Sequence, residues 1–159
     1  MKKLIGSLTF LCLSLLYITA ASADELKLSP YGKVFVGSDG LVVEIASVDA
    51  KNKDGLHDAL IRITGSAAHD AGIDGQVIMH EAIPAGTGFD YVAKDIHRMS
   101  SRSAWGSWDF FEVHLGGKSY DVGLDEKKSK DLKVTDLQKA YSGKSDAKDT
   151  KGAKDTKKK

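Results

Sequence analysis

Trp108-Asp-Phe-Phe-Glu-Val-His-Leu-Gly-Gly-Lys-Ser-Tyr-Asp-Val-Gly-Leu124 contains two alternating runs of apolar and polar residues on either side of a Gly-Gly pair. Glycines at 116 and 117 can take the positive φ angles of a two-residue hairpin turn. The register that follows pairs Leu115 with Lys118, Val113 with Tyr120 and Phe111 with Val122. One face is apolar and carries Phe111, Val113, Leu115, Tyr120 and Val122, whereas the opposite face carries Phe110, Glu112, His114, Ser119 and Asp121. The hairpin therefore has one side to bury and one side to expose.

Residues 24–125 contain seven or eight short strand-like segments punctuated by turn residues, and no convincing helix. Before the hairpin these segments are Lys33–Gly37, Leu41–Val48, His57–Thr64, Gln76–Ile83 and Phe89–Ile96. The segment Leu41–Val48 is apolar on both faces except at Glu44 and Ser47, which indicates a strand covered on both sides. Strands this short and this regularly punctuated are typical of a sandwich or a small barrel. We predict an all-β domain, a single small antiparallel β-sandwich with an immunoglobulin-like or jelly-roll-like strand order.

Residues 1–23 have the pattern of a secretory signal peptide. Lys2 and Lys3 precede a mostly apolar run from Leu4 to Ile18, and Ala21-Ser22-Ala23 has the form of a cleavage site. We expect cleavage near Ala23 and a bacterial periplasmic or secreted location, with no transmembrane segment afterwards. The single cysteine, Cys12, would leave with the signal peptide, so the mature chain would have neither disulfides nor a thiol nucleophile.

Charge divides the rest of the chain into an acidic body and a basic tail. Residues 24–125 hold nine Lys or Arg and sixteen Asp or Glu, whereas residues 126–159 hold twelve lysines and six acids. Residues 126–141 read as a linker with one short helix over 130–141. Residues 142–159 lack large apolar side chains and are predicted to be disordered. The tail is either a solubilising extension or a weak tether to an anionic surface.

The polar face of the hairpin offers one candidate metal site. The predicted register places Glu112 directly opposite Asp121, with His114 beside them. A divalent cation such as Zn²⁺ or Cu²⁺ would cancel the repulsion of the two carboxylates. The other interpretation is a pair of solvated acids. The spacing of His57, His69, His80, His97 and His114 suits one histidine per strand or loop, which also leaves open their convergence at one end of the domain.

The segment 97–108 reads as a Ser/Arg-rich loop with a candidate partner-binding surface. Its anchors would be Arg98, Arg102, Trp105 and Trp108, because Trp and Arg are the residues that most often dominate interfaces. The alternative interpretation is that both tryptophans cap the core.

Several functional classes are excluded by missing motifs. No Gly-x-Ser-x-Gly nucleophile elbow is present, and the Gly-rich segment 85–88 lacks the lysine of a phosphate-binding loop. A calcium loop fails because Ala50 and Ile61 occupy the positions that require carboxylates. No class of specific nucleic-acid reader fits. We therefore predict a non-catalytic, cofactor-free binding module for a protein or an envelope polymer. The alternatives are a periplasmic divalent-metal-binding protein and a small secreted hydrolase.

Overall fold

Eight antiparallel strands form a closed barrel. The computed structural model describes residues 26–93, 97–101 and 109–142, so the predicted signal peptide and the tail beyond Ser142 lie outside the described residues. Each strand pairs with the next along the chain, and the first pairs with the last. The strands are β1 (Leu28–Gly37), β2 (Val42–Lys51), β3 (His57–Thr64), β4 (Val77–Ala85), β5 (Gly88–Ala93), β6 (His97–Ser101), β7 (Phe110–Leu115) and β8 (Lys118–Leu124).

The predicted β-sandwich is wrong, because a single sheet closes on itself. Closure comes from β1 and β8, where Phe35 pairs with Leu124 and Val36 pairs with Gly123. Short alternating strands with frequent turns are compatible with either architecture. What separates the two is the pairing of strands from opposite ends of the domain, which no local pattern encodes. Closure also removes the exposed sheet edges that a sandwich would have.

The predicted hairpin is confirmed in its register. Leu115 pairs with Lys118, and the pairing continues to Phe111 opposite Val122 and Phe110 opposite Gly123. Gly116 has a φ of 55° and Gly117 a φ of 78°. Both central residues of the turn therefore take positive φ, as a two-residue type I′ turn requires.

One predicted loop contains a strand. The predicted strand Phe89–Ile96 ends at Ala93 in the structure, and β6 begins within the segment expected to be a Ser/Arg loop. Met99 of β6 is completely buried and pairs with Tyr91 on one side and Val113 on the other. A single inward-facing apolar residue between polar neighbours gives too weak an alternation to be recognised from sequence.

The apolar residues form two clusters, one on each side of the barrel wall. The interior core is built from alternate residues of the strands and includes Phe35, Val43, Ile45, Ile61, Ile63, Phe89, Tyr91, Met99, Phe111, Val113 and Val122. The outer cluster joins Ala46, Leu60 and Val77 to Val134 and Leu137. The prediction that Leu41–Val48 is covered on both sides is therefore confirmed, but the second cover is the C-terminal part of the chain and not a second sheet.

Two short helices replace the single helix predicted over 130–141. The first, α2 (Glu126–Asp131), is capped at its N-terminus by Asp125, whose side chain accepts a hydrogen bond from the Lys128 amide at 2.9 Å. The second, α3, spans residues 134–142 and packs Leu137 against the outer wall. Gln138 Nε2 donates to the Leu26 carbonyl at 2.7 Å, which ties α3 to the chain before β1. None of the described helices is long and apolar enough to cross a membrane.

Between α2 and α3, the chain passes close to the barrel, where Leu132 lies against Gly32 of β1. A Cβ atom at Gly32 of β1 would lie 2.5 Å from Leu132 Cδ2 and 2.9 Å from the Ile45 carbonyl oxygen. Only glycine leaves room there for Leu132, the residue that follows α2, to pack on β1. This contact with a distant strand could not be predicted from the sequence pattern of the C-terminal segment alone.

The two ends of the barrel differ. At one end, helix α1 (Ser66–Asp70) and the residues after it cover the opening, and both Ala68 and Ile73 belong to the interior core. The other end lies where β1 and β3 begin and β2 and β4 end. We call it the open end, because a cavity enters the barrel there.

Candidate functional site

The open end leads into a cavity of about 520 Å³ inside the barrel. Six of the eight strands contribute lining residues because alternate side chains of each strand face inward. The lining residues are Ser29, Tyr31, Lys33, Phe35, Ile45, Ser47, Lys51, Gly55, Leu56, His57, Ala82, Phe89, Tyr91 and Phe111. The cavity falls within the size range of small-molecule sites in proteins, roughly 300–1,000 Å³.

Four aromatic side chains form the inner part of this cavity, which we call the aromatic floor: Phe35, Phe89, Tyr91 and Phe111. The ring centroids of Phe35 and Phe111 are 5.0 Å apart at an interplanar angle of 87°. Phe89 and Tyr91 form a second edge-to-face pair at 5.0 Å, and Tyr91 stacks on Phe111 at 6.1 Å. These contacts fix the rings in favourable geometries, so the floor is a preformed apolar surface.

The outer part of the cavity is polar and basic. Lys33 and Lys51, which we call the rim lysines, are both exposed, and the exposed His57 lies in the same lining. His57 Nδ1 lies 2.8 Å from the Val48 carbonyl oxygen. Because a carbonyl oxygen can only accept, Nδ1 carries the proton and Nε2 is the ring atom left for other interactions. No carboxylate occurs among the described residues that line the cavity.

A hydrogen-bond network built on Asn52 holds the loop between β2 and β3 at the rim. Asn52 Nδ2 donates to Asp58 Oδ1 at 2.7 Å and to the Ala82 carbonyl at 2.8 Å. Its Oδ1 accepts from the amides of Asp54 and Leu56 at 3.0 and 3.1 Å. Leu56 is thereby fixed where it lines the cavity. The rim is therefore an ordered part of the site and needs little reorganisation to receive a ligand.

Tyr91 couples the floor to the rim. Burial raises the pKa of its phenol above the ordinary value of 10.0, and a side-chain hydrogen bond with Ser47 acts in the opposite direction. Ser47 lies on β2 and Tyr91 on β5, two strands that are not neighbours in the sheet, so this interaction spans the cavity that both residues line.

We expect Tyr91 to give the protein an alkaline limit of stability. Its folded-state pKa is higher than its unfolded-state pKa, so its contribution is complete below about pH 10 and is lost as the pH rises through the folded-state value. Urea unfolding at rising pH should show a smaller alkaline loss of free energy for Tyr91→Phe than for the wild type. Tyr31→Phe, at a tyrosine that is 85% exposed, is the control and should follow the wild type. Equal alkaline losses in all three proteins would contradict the assignment.

The predicted metal residues lie on the outer face of β7 and β8, away from the cavity. Glu112 pairs directly with Asp121, as predicted. His114 Nδ1 lies 2.9 Å from Ser119 Oγ, and its Nε2 lies 3.4 Å from Ser100 Oγ and 3.8 Å from Glu112 Oε2. Within the described ranges, no group of three or more His, Cys, Asp or Glu side chains is placed to hold a metal ion. The metal site, with Zn²⁺ or Cu²⁺, stays a prediction.

The described histidine side chains do not converge. His57 lies at the open end, His69 is exposed on α1 at the covered end, His80 is fully buried in β4, and His114 is on the outer face. Each lies on a different element, as expected for one histidine per strand or loop.

Most of the predicted partner-binding surface lies outside the described residues. Arg102, Trp105 and Trp108 lie outside the described residues, and Arg98 is placed only by its backbone, in β6 opposite Val92 and His114. The protein or envelope-polymer partner therefore stays a prediction.

Sequence reasoning missed the cavity, although β1 contains one signal for it. Lys33 and Phe35 are two residues apart and therefore share a strand face. A lysine on the face that carries a core phenylalanine indicates the place where the core ends and a polar opening begins. The remaining lining residues could be assembled only once the barrel was known to close.

Comparison with protein families, curated proteins and solved structures gave no match to this chain.

Proposed function

We propose that this protein is a non-catalytic binding module that holds one small, partly apolar molecule in the open end of its barrel. The observation that carries the proposal is the cavity of about 520 Å³ with an ordered aromatic floor. Eight-stranded barrels are wide enough to hold one small ligand inside. An apolar floor with a few polar groups at the entrance is the usual composition of such a site.

The described residues of the cavity favour binding over chemistry. A hydrolytic site needs a nucleophile within hydrogen-bond reach of a base, and that base needs an orienting partner. His57 bonds to a main-chain carbonyl, Ser47 bonds to Tyr91, and the described lining contains no carboxylate. These groups support recognition of a ligand and give no support to the alternative of a secreted hydrolase.

Titration with N-phenyl-1-naphthylamine, a neutral dye that fluoresces in apolar surroundings, tests the proposal. We expect saturable fluorescence with one dye per chain. Ala82 is a small, buried lining residue, so Ala82→Phe should fill part of the cavity and weaken binding at least about tenfold. Ala140→Phe makes the same change at an exposed position of α3 and should bind as the wild type does.

Over-packing at Ala82 is itself expected to cost about 1–3 kcal/mol, so folding of the variant is checked by thermal unfolding. Ser47→Phe, a lining position that is only half-buried, provides a second block if Ala82→Phe does not fold. Absence of saturable binding to the wild type, or unchanged affinity in a folded blocked variant, would refute the proposal.

A further inference from the structure

We infer that the ligand is an amphiphile with one small anionic head group, held by Lys33 and Lys51 while its apolar body lies on the aromatic floor. A medium-chain carboxylic acid is the simplest member of this class. The inference rests on the proposed function and adds the chemical class of the ligand.

The charge of the cavity lining favours an anionic ligand. The body of the protein is acidic, with sixteen Asp or Glu against nine Lys or Arg over residues 24–125. The described cavity lining reverses this balance, because its formally charged side chains at neutral pH are the two rim lysines. A lining that departs so clearly from the rest of the body favours an anion and disfavours a cation.

The rim lysines are available for a ligand. Two other lysines near the same end are neutralised: Lys27 pairs with Asp49 at 3.5 Å, and Lys53 pairs with Glu81 at 3.5 Å. In the part of the chain that the structure describes, neither rim lysine forms an ion pair. Both lysines line the cavity. An incoming anion would therefore gain their attraction without displacing an existing carboxylate.

The cavity lining is polar at the rim and apolar one layer deeper along the barrel axis. Lys33 lies two residues before Phe35 on the same face of β1, which separates the two positions by about 7 Å. Ser47 of β2 stands in the same relation to the buried Ile45. Charge and hydroxyl groups therefore form an outer ring, and apolar side chains lie one layer deeper. A ligand that matches both layers has a polar head and an apolar body.

The same layering argues against a sugar as ligand. Sugar hydroxyls on the aromatic floor would lose their hydrogen bonds to water, and the Phe side chains there cannot replace them. An alkyl or aryl body has no such cost. Among the neutral polar groups of the lining, Ser29, Tyr31 and His57 Nε2 lie at the rim, where a head group would lie. The Tyr91 phenol in the floor is already bonded to Ser47.

Displacement of N-phenyl-1-naphthylamine by three competitors tests the inference: decanoate, 1-decanol and decyltrimethylammonium, each below its solubility or micelle limit. We expect decanoate to bind at least about tenfold more tightly than decanol, and the cation to bind most weakly. Rising salt should reduce the difference between decanoate and decanol, since the rim lysines are exposed to solvent.

The double variant K33M/K51M keeps the aliphatic length of both side chains but removes their charges. We expect it to bind decanoate and decanol equally, with decanol within about threefold of its wild-type affinity. K118M removes an exposed lysine from the β7–β8 turn, at the opposite end of the barrel, and should keep the wild-type preference.

The outcomes separate the two claims. If neither the dye nor decanol binds, the proposed function fails. If both bind but decanoate has no advantage, or if its advantage survives in K33M/K51M, the proposed function stands and the anionic head group is refuted.

Discussion

Phe111→Ala is expected to lower the free energy of unfolding by about 3–5 kcal/mol, the usual range for removing a buried phenylalanine. The Phe111 side chain is 3% exposed. Its ring packs edge-to-face on Phe35 at 5.0 Å and stacks on Tyr91 at 6.1 Å. It therefore joins β7 to β1 and β5 across the barrel interior. The alanine variant loses the transfer free energy of the ring and the contacts of the rings left behind.

The matched control is the neighbouring residue. Phe110 precedes Phe111 on β7, points to the other side of the sheet and is 60% exposed. We expect Phe110→Ala to cost less than about 1 kcal/mol, as surface substitutions do. Urea unfolding of both variants measures the difference. Reversed costs would contradict the assigned faces of β7, because a one-residue slip in register exchanges the two phenylalanines. Equal costs would contradict the difference in their burial.

Leu137→Ala is the second large expected effect, with a loss of about 2–5 kcal/mol. Leu137 is fully buried on α3 and packs in the outer cluster with Ala46 and Leu60. An isolated helix of nine residues has little stability of its own, so α3 is held by this packing and by the bond from Gln138 to the Leu26 carbonyl. The variant removes the central side chain of that interface.

Lys139→Ala is the control for Leu137→Ala, since Lys139 is exposed on the same helix and alanine favours helix formation. We expect its free energy of unfolding to stay within about 0.5 kcal/mol of the wild-type value. If Leu137→Ala also unfolded like the wild type, α3 would not be docked on the barrel in solution.

The part of the fold that local patterns determine was predicted, and the part that depends on distant pairing was not. The β7–β8 register followed from alternation and the Gly-Gly turn. The double cover of β2 followed from its apolar residues on both faces, Ile45 inside and Ala46 outside. Closure could not be derived, because Phe35 and Leu124 are paired through the geometry of six intervening strands.

The candidate site depends on that closure, which is why the sequence did not reveal it. The aromatic floor combines Phe35, Phe89 and Phe111 from three strands that are far apart in the chain. Sequence reasoning chose instead the outer face of the hairpin, where Glu112, His114 and Asp121 are close in sequence. Local spacing can indicate a site made by one hairpin, whereas a cavity inside a barrel depends on how all the strands are arranged.

The most direct test of the central claim, that the open end holds a small ligand, is an isotope-filtered nuclear Overhauser experiment on the labelled protein with bound N-phenyl-1-naphthylamine. We predict cross-peaks from the dye to the ring protons of Phe35, Phe89 and Phe111, which line the cavity. We predict none to Phe110, which is exposed on the outer face of the barrel. Cross-peaks to Phe110 without any to the aromatic floor would contradict the account.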